Sequence, residues 1–400
     1  MSKSFVHLHV HTDYSMLDGA AKIRQLIKEV AEQEMPAVAM TDHGNMHGAY
    51  EFFMAANDAG IKPIIGLEAY LTPGTHRTDR VGVKWGEGGE DDISGNGAYT
   101  HMTLLSETTE GMHNLFKMSS LSWLEGIYYK PRIDRELLNT YAKGLIATSG
   151  CVSGEIQTRL RLGHYDEAKR VAGEMQEIFG KGNYFIELMS HGIHIEKRSM
   201  ADLVKLAKEL SIPLLATNDS HYIHATDAEA HEALLCLQTA TNLNDAKRFK
   251  LDSQEFYLKS AAEMRRLFAD FPEACDNTLL IAERSNVTFK ERKLMPKFPV
   301  PKGETEASWF AKEVQIGLTK RFGGAVPQTH LDQAQFEIDV IVEMGFPGYF
   351  LVVADFIAWA RNNGVRVGPG RGSAAGSIVA WAMGISDLDP IEHGLSLSAF

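Results

Sequence analysis

Short apolar runs alternate with longer runs of amphipathic, helical spacing along the first 225 residues. This alternation is typical of βα units, in which helices connect neighbouring strands. Helical spacing is clearest at residues 21–34, 45–59, 164–179 and 195–210. Strands are predicted at residues 5–11, 37–41, 63–70, 100–106, 144–148, 184–189 and 213–217. The pattern therefore predicts an α/β fold in which seven strands form a closed or nearly closed parallel barrel.

A different pattern begins after the predicted barrel. Residues 226–285 have the spacing of helices with one short strand, and Ser260 with Glu263 matches the capping box that begins a helix. A Pro- and Lys-rich stretch at residues 295–303 is typical of a linker. The chain is thus predicted to contain a barrel domain with a C-terminal helical extension, a linker and a second domain. The predicted divisions are residues 1–285, 286–303 and 304–400.

The first predicted strand carries histidines at three alternate positions, His7, His9 and His11. Alternate side chains of a regular strand share one face, so the three imidazoles are predicted to point the same way. Asp18 follows after a short loop, and a carboxylate beside imidazoles suits Zn, Mn or Fe. An edge strand with solvated histidines is the weaker alternative. We predict a metal site that uses His9 and His11, with His7 in a structural or supporting role.

Other side chains of ligand type follow the predicted strands, at the end where βα barrels build their active sites. Because cores prefer apolar side chains, these polar residues predict a functional site. They are His43, Glu68, His101, Cys151, Asp219 and His221. Cys236 and Cys275 are interpreted as small buried apolar side chains. His47 and His191 could contact a substrate phosphate or serve as surface or supporting residues.

Composition narrows the class of protein. The chain has 400 residues, 44% hydrophobic and 23% charged, as in a soluble globular protein of two or three domains. No apolar run approaches the roughly 18 residues that span a bilayer, and no signal-peptide pattern is present, so we expect a cytoplasmic protein without a membrane partner. A formal net charge of −12 opposes bulk attraction to nucleic acid, which must instead use local basic patches or bound cations.

One local basic patch lies at residues 128–132, between predicted strands. It combines two tyrosines with Lys130 and Arg132, and could guide a single-stranded 3′ end of DNA. A packed surface loop explains the same residues equally well.

A second basic patch lies at residues 365–377. The pattern predicts a strand, a glycine-rich turn and a helix that begins near Ser373, with Arg366 and Arg371 as counter-charges to a bound phosphate. No Lys-Ser or Lys-Thr pair follows the glycines, so this is not a Walker motif. Tight packing of the strand against the helix is the alternative.

The ligand-type residues resemble those of the polymerase and histidinol phosphatase (PHP) family of metal-dependent phosphoesterases. The resemblance implies a distorted seven-stranded (βα)7 PHP barrel that holds two or three divalent ions of Zn, Mn or Fe, although many relatives have histidine at the position of Cys151. The implied metal ligands are His9, His11, Asp18, His43, Glu68, His101, Cys151, Asp219 and His221. The implied catalytic residues among them are His9, His11, Asp18, His43, Glu68 and Asp219, with Glu68 as the candidate bridging ligand.

The chain is also similar, over essentially all its length, to the N-terminal part of bacterial C-family replicative polymerases. Residues 304–400 then correspond to the first part of the palm, whose paired catalytic aspartates would hold Mg²⁺ and lie beyond residue 400. Asp387 and Asp389 imitate such a pair but are predicted to be loop and capping residues. Residues 395–400 depart from the family's sequence, and we expect a truncated fragment. The implied nucleotide-binding residues are Arg371, Gly372 and Ser373.

The resemblance implies DNA synthesis with proofreading by a metal-dependent 3′–5′ exonuclease in the PHP domain. The chain itself is expected to be an exonuclease at most. Implied partners are primer-template DNA, deoxynucleoside triphosphates, the sliding clamp and other replicase subunits. Two alternatives remain. The glycine-rich second domain argues against a stand-alone phosphatase of the histidinol phosphate type, and the complete ligand set argues against a purely structural platform.

Overall fold

The computed structural model describes residues 4–16, 18–87, 92–251, 253–292, 294–370 and 372–395. The chain divides into two compact units, Met1–Phe289 and Lys290–Phe400. The division falls inside the predicted linker at residues 286–303.

The first unit is built around one curled sheet. Its strands follow the order β4-β5-β2-β3-β6-β7-β8, and β1 pairs with β2. The strands are β1 (Ala37–Met40), β2 (Lys62–Leu71), β3 (Thr100–Ser106), β4 (Ile127–Tyr128), β5 (Lys130–Ile133), β6 (Leu145–Thr148), β7 (Tyr184–Leu188) and β8 (Leu214–Ala216). The predicted α/β class is confirmed. The short strands β4 and β5 were not predicted.

Strand β3 corrects the prediction of an all-parallel barrel, because it runs antiparallel to both β2 and β6. Between β2 and β3 the described chain contains only the short turn α3 (Ser94–Gly97), in which Gly95 and Asn96 have left-handed backbone angles. A parallel crossover usually needs a helix, and this connection lacks one among the described residues. His101, near the start of β3, therefore reaches the same rim of the sheet as residues that follow the ends of parallel strands.

The predicted first strand at residues 5–11 is an extended segment that makes single bridges. His7 bridges Val38 of β1, and Val10 bridges Ser220 beyond β8. The backbone N–H of His11 donates to the Ser220 carbonyl at 2.8 Å. The segment therefore lies between β1 and the chain that follows β8 and closes the curled sheet.

A bend at His9 corrects the prediction that the three histidines share a face. Before the bend, Val6 and Leu8 join the apolar cluster inside the barrel, and His7 turns outward, where its Nε2 donates to the Lys259 carbonyl at 2.7 Å. Strict alternation needs a continuous ladder, and the bend interrupts it. The interior cluster contains Val6, Leu8, Ala37, Ala39, Ile64, Leu105, Ile146, Phe185, Leu215, Ile281 and Ala282.

Helices cover the outer face of this sheet. They are α1 (Ile23–Glu32), α2 (Ala49–Asp58), α4 (Thr109–Glu125), α5 (Arg135–Tyr141), α6 (Glu155–Arg161), α7 (Tyr165–Phe179), α8 (His194–Leu210), α9 (Ala228–Thr239), α10 (Ala261–Leu267) and α11 (Pro272–Arg284). The predicted capping box of Ser260 and Glu263 begins α10 and is confirmed. The short strand predicted within residues 226–285 is not seen in the described part of that range.

The second unit is helical in its described residues. Its elements are α12 (Glu306–Phe322), α13 (Gln328–Glu343), α14 (Pro347–Asn362), a 3-10 turn (Gly372–Gly376) and α15 (Ile378–Ala382). Phe310, Val314 and Leu318 of α12 form the centre of its core. Across the described residues, no single helix is long and apolar enough to cross a membrane. Helices α13 and α14 pass such a test only as a pair and are bent by 113° at their junction.

The glycine-rich stretch differs from its prediction. No strand is seen at the described residues 365–370, and the helix begins at Ile378 rather than near Ser373. Glu337 of α13, which is buried, accepts from the backbone N–H groups of Ile378 and Val379, each at 3.2 Å. A carboxylate therefore occupies the N-terminus of α15, whereas the phosphate was predicted at a helix beginning near Ser373. Gly372 is exposed, with a φ of 65°.

The remaining predictions for the second unit concern side chains. Asp389 accepts from the backbone N–H of Ile391 at 2.9 Å and so caps a turn, because no helix is seen at the described residues 390–395. Asp387 pairs with Arg361 at 3.0 Å in a loop. Ser373 is exposed. Arg371 and residues 396–400 lie outside the described residues.

Candidate metal centre

The register of the strands brings several ligand-type side chains into the barrel interior. Ile64 of β2 faces the interior cluster, and counting by two along the strand leads through Gly66 to Glu68. The same count along β3 leads from Leu105 through Thr103 back to His101. These positions lie above the apolar cluster, at the rim of the curled sheet.

A first group consists of His9, His11 and Asp219. The Asp219 Oδ1 atom lies 3.3 Å from His9 Nε2 and 3.0 Å from His11 Nε2. Asp219 has a φ of 42°, an uncommon backbone angle for a residue other than glycine. Local strain of this kind is common at functional sites, where surrounding contacts hold it in place.

Glu68 lies at the centre of a second group. Its Oε1 is 3.0 Å from His101 Nδ1 and 3.3 Å from His9 Nε2. Its Oε2 is 2.5 Å from His43 Nδ1 and 3.5 Å from His11 Nε2. One carboxylate thus contacts four imidazoles, which is the position expected of a ligand shared between two ions.

The other predicted ligands border these groups. Asp18 Oδ2 lies 3.2 Å from His43 Nε2, and the His221 ring stacks on the His11 ring with centroids 4.3 Å apart. Cys151 Sγ lies 3.5 Å from Nδ1 of His101. The structure therefore brings all nine predicted ligands to one rim, although their role as ligands stays a prediction.

Several polar atoms of this cluster are buried without a hydrogen-bond partner. A protein rarely leaves such atoms unsatisfied, and divalent cations of the Zn, Mn or Fe type accept both imidazole nitrogen and carboxylate oxygen. The atoms are His9 Nε2, His11 Nε2, His43 Nδ1, Glu68 Oε2 and Asp219 Oδ1. Three triads have ligand atoms within 4.8 Å of one another, namely His9-His11-Asp219, His11-His43-His221 and His43-Glu68-His101. The residues present therefore fit more than one metal ion.

The carboxylates of the cluster are held in their charged form. Burial raises the pKa of the Glu68 carboxyl, but the facing histidines, led by His101, hold it well below its usual range. Burial likewise raises the pKa of the Asp219 carboxyl, but His9, His221 and His11 together hold it well below its usual range. Ionised carboxylates in a buried site need nearby positive charge, which is a further reason why cations suit it.

Glu187 is a buried residue that the sequence analysis missed. It lies on β7 two positions after Phe185, so its side chain also faces the barrel interior. Its Oε1 accepts from His9 Nδ1 at 2.8 Å and from Thr217 Oγ1 at 2.5 Å, and Thr148 donates to its other oxygen. A carboxylate that binds the far nitrogen of a histidine fixes its tautomer and leaves Nε2 free for a metal ion.

Asp42 supports His11 in a similar way through Ser15. The Ser15 hydroxyl donates to Asp42 Oδ1 at 2.8 Å and lies 2.9 Å from His11 Nδ1. Asp42 also accepts from the backbone N–H of Thr12 at 2.7 Å. Burial lowers the pKa of His11 to about 3, so its ring is neutral near pH 7. The lone pair on its Nε2 can then bind a cation.

The surroundings of His191 and His47 bear on the two roles predicted for each of them. The His191 ring is buried with Nδ1 2.5 Å from Glu196 and Nε2 2.9 Å from the Asn218 carbonyl. Both of its nitrogens are therefore occupied, and the structure favours the supporting role over a phosphate contact. His47 is exposed.

The predicted DNA contact by Arg132 is corrected. Its side chain is fully buried, and its guanidinium donates to the carbonyls of Gly126, Arg77 and Asp79 at 2.7–3.1 Å. A group that satisfies these carbonyls inside the protein cannot also reach a nucleic acid. Lys130 is half-buried, with its Nζ 5.5 Å from the centre of the Tyr70 ring.

Comparisons with known proteins give the family. Residues 7–191 match the PHP domain family, and residues 308–400 match the family described as the bacterial DNA polymerase III alpha NTPase domain. The DNA polymerase III subunit alpha of Mycobacterium leprae is 54% identical, with 99% of this chain and 34% of the relative covered. That of Saccharopolyspora erythraea is 52% identical with the same coverage of both chains.

Two further matches have lower sequence identity to this chain. The subunit alpha of Borreliella burgdorferi is 41% identical, with 99% of this chain and 34% of the relative covered. A solved structure from Bifidobacterium adolescentis, described as a metal-dependent phosphoesterase, is 14% identical with a TM-score of 0.35 and covers 55% of this chain and 88% of its own. This chain spans about a third of the length of the curated relatives. It belongs to the family of bacterial DNA polymerase III alpha subunits and carries a PHP domain.

Proposed function

We propose that the first unit is a metal-dependent phosphodiesterase that removes nucleotides from the 3′ end of DNA. The observation that carries this proposal is the group of converging, buried nitrogen and oxygen atoms around Glu68 that have no hydrogen-bond partner. The match of residues 7–191 to the PHP domain family supports the same chemistry. Proofreading of newly made DNA would be its role in the whole polymerase.

Two or three ions of Zn, Mn or Fe would be held by the nine predicted ligands, Glu68 among them. Bound there, such ions would lower the pKa of a water molecule, neutralise the scissile phosphate and stabilise the leaving oxygen. In the hydrolysis, a water oxygen bonds to phosphorus, the bond from phosphorus to the 3′ oxygen breaks, and that oxygen takes a proton. The products are a nucleoside 5′-monophosphate and a shortened strand with a 3′ hydroxyl.

The residues of the chain prepare the site for this reaction. Glu187 and Ser15 hold two imidazoles with Nε2 turned towards the cluster. The side chains of His9 and His11 are fully buried, which keeps bulk water away from that part of the site. The two imidazoles thus provide fixed metal-binding nitrogen atoms that need little rearrangement when substrate binds.

Exposure indicates the side from which substrate enters. Asp18, His43 and His101 keep 19%, 13% and 16% of their side-chain surface exposed, whereas His9 and His11 keep none. A phosphodiester that approaches from solvent would meet the exposed ligands first. We therefore place the substrate path over these three residues.

The wider assignments extend the proposal to the whole polymerase. They comprise DNA synthesis with Mg²⁺, a cytoplasmic location, and the domain divisions at residues 285 and 303. The partners would be primer-template DNA, deoxynucleoside triphosphates, the sliding clamp and other replicase subunits. The nucleotide-binding role of Arg371, Gly372 and Ser373 belongs with them. The match of residues 308–400 to the polymerase III alpha family supports these assignments.

The test uses the purified 400-residue chain, stripped of metal by chelation and then supplied with Mn²⁺ or Zn²⁺. We expect release of nucleotides from a 3′-labelled single-stranded primer and no hydrolysis of histidinol phosphate. His11→Ala and Asp219→Ala should each lower primer cleavage by at least about 100-fold, since each removes a ligand. His113→Ala, which changes an exposed histidine of α4, is the matched control.

The outcomes separate the three candidate functions. Cleavage of histidinol phosphate in place of DNA would favour the phosphatase. A chain that binds metal but cleaves neither substrate would favour a structural platform. Primer cleavage that survives both ligand substitutions would come from another site or a contaminant and would overturn the proposal.

A further inference from the structure

The hairpin of β4 and β5 presents an aromatic side chain to solvent under backbone strain. Tyr128 pairs directly with Lys130, and Tyr129 forms the turn between them with a φ of 62°. Tyr129 is 59% exposed. The left-handed region is unfavourable for a residue other than glycine, and an exposed ring recovers little of that cost by packing. Strain that stability does not explain points to a functional role.

The hairpin is attached to the candidate metal centre through β2. Tyr70 pairs with Arg132 of β5, and the Tyr70 ring stacks on the His43 ring with centroids 5.8 Å apart. The Lys130 Nζ atom lies 5.5 Å from the centre of the same Tyr70 ring. The Tyr70 ring is therefore a neighbour of both the Lys130 ammonium and a predicted metal ligand. The location is the same rim at which the exposed ligands lie.

Gly44, next to His43, shows how closely the hairpin packs on this rim. Its φ is 62°, and a Cβ there would lie 2.8 Å from Pro131 and 3.0 Å from the Tyr70 ring. Only glycine allows this approach of the ligand-bearing loop to the hairpin. The positions of Tyr129 and Lys130 relative to the centre are thus fixed by tight packing.

The charge of Lys130 has no carboxylate partner among the described residues. The neighbouring Arg132 is committed to backbone carbonyls and lies 5.0 Å from the Tyr128 ring, which holds that ring in place. Tyr129 packs edge-on against Tyr128, with ring centroids 4.6 Å apart. The hairpin therefore offers one cation without a carboxylate partner in the described chain and one exposed tyrosine.

We propose that this hairpin binds the single-stranded 3′ segment of DNA, with a nucleobase stacked on Tyr129 and a backbone phosphate beside Lys130. A stacking ring beside a cation is the recurring means of holding single-stranded nucleic acid without reading its sequence. The inference rests on the proposed function, because it places the strand relative to the cleavage site. Both residues bind and position the strand and take no part in the bond cleavage.

The test compares two substrates on the full 400-residue chain loaded with Mn²⁺. One is a single-stranded oligonucleotide, and the other is bis(p-nitrophenyl) phosphate, a phosphodiester without a nucleobase or a second phosphate. Tyr129→Asn removes the ring, and asparagine tolerates the left-handed backbone. Tyr129→Phe keeps the ring, Lys130→Gln removes the charge, and Lys130→Arg keeps it. Lys28→Gln on α1 changes an exposed lysine as a control.

We expect Tyr129→Asn to raise the KM for the oligonucleotide about tenfold with little change in kcat, and Tyr129→Phe to keep the normal KM. Lys130→Gln should lower the slope of log KM against log salt by about 0.7, while Lys130→Arg should preserve it. Rates on bis(p-nitrophenyl) phosphate should be unchanged in every variant. Circular dichroism should show the same fold throughout.

The possible results are distinguishable. If neither substrate is cleaved by the unchanged chain, the proposed function fails. If both are cleaved and the hairpin variants keep the normal KM and salt slope, only the hairpin inference fails. Equal losses on both substrates would assign the residues a structural role and would also overturn it.

Discussion

The Glu187 carboxylate accepts a hydrogen bond from His9 Nδ1 at 2.8 Å, in a part of the barrel where neither side chain is exposed. Two threonines, Thr148 and Thr217, donate to the same carboxylate. Its oxygens are therefore occupied by fixed donors, and the orientation of the His9 ring is determined by the strands β6, β7 and β8 around it. A metal ion at His9 Nε2 would meet a ring that has one tautomer.

Replacing Glu187 with glutamine should weaken metal binding by about 10- to 100-fold, because a neutral amide no longer favours that tautomer. Mn²⁺ titration of the stripped chain, followed by calorimetry, measures the change. Glu177→Gln, an exposed position on α7, is the control and should leave the affinity unchanged. Normal affinity in Glu187→Gln with an intact fold would show that His9 does not depend on this contact.

Cys151→Ser should change the choice of metal. Thiolate is a softer ligand than hydroxyl, so we expect affinity for Zn²⁺ to fall by about tenfold or more and affinity for Mn²⁺ to change little. Burial, with Glu68 and Asp219, raises the pKa of the Cys151 thiol well above its usual range, and a coordinated cation reverses that preference. Competition between the two metals, read by X-ray fluorescence, reports the ratio.

The control for this prediction is Cys236→Ser, which changes another buried cysteine on α9. An equal loss of affinity for both metals in Cys151→Ser would mean that the substitution disturbs the site as a whole. An unchanged ratio would remove Cys151 from the ligand set.

Asp134 should make the first unit sensitive to acid. Burial raises the pKa of its carboxyl, but the backbone N–H groups of Arg77 and Leu137 and the Arg77 guanidinium hold it below its usual range. The ion pair between Asp134 and Arg77 is 3.0 Å long and largely buried. Because the folded pKa is the lower one, this stabilisation is present above about pH 4 and is lost as the pH falls through the folded value.

Asp134→Asn should therefore lower the free energy of unfolding by about 2 kcal/mol at pH 7 and by progressively less as the pH falls below about 4. Urea unfolding of the chain, followed by tryptophan fluorescence and circular dichroism across this pH range, measures the difference. Asp166→Asn, at an exposed position on α7, is the control. A difference that stays constant with pH would contradict the assigned charge.

Glu337 should stabilise the second unit through the N-terminus of α15. Its carboxylate accepts from Ser377 Oγ at 2.7 Å and from the backbone N–H groups of Ile378 and Val379. Glu337→Ala leaves these buried donors without a partner, so we expect a loss of about 2–3 kcal/mol. Glu343→Ala, at an exposed position on the same helix, should cost less than about 0.5 kcal/mol. Equal costs would show that water replaces the carboxylate.

The sequence predicted much of the first unit because strand ends and ligand spacing are local signals. It missed Glu187 because that residue lies within an apolar strand, and only its tertiary neighbours show its role. It also placed Arg132 at the surface, since its burial depends on carbonyl groups supplied by distant loops. Periodicity identifies strands but not their direction, which is why the antiparallel course of β3 was not predicted.

Prediction was weaker for the second unit. Its glycine-rich turn matched a strand-turn-helix pattern, but the chain forms a 3-10 turn and begins the helix at Ile378. The competing signal was Ser377, whose hydroxyl accepts from Ala380 and caps the helix there. A glycine pattern alone could not reveal that the carboxylate of Glu337, on another helix, binds the N-terminus of α15.

The bridge between Val10 and Ser220 has a consequence for folding during synthesis. His9 and His11 leave the ribosome first, yet Asp219 emerges only after more than two hundred further residues. Pairing over such a separation is slow, because the intervening chain must be ordered before the contact forms. The earliest of the predicted ligands to be made are thus among the last to reach their places, and a nascent chain completes its candidate metal centre only when the whole barrel closes.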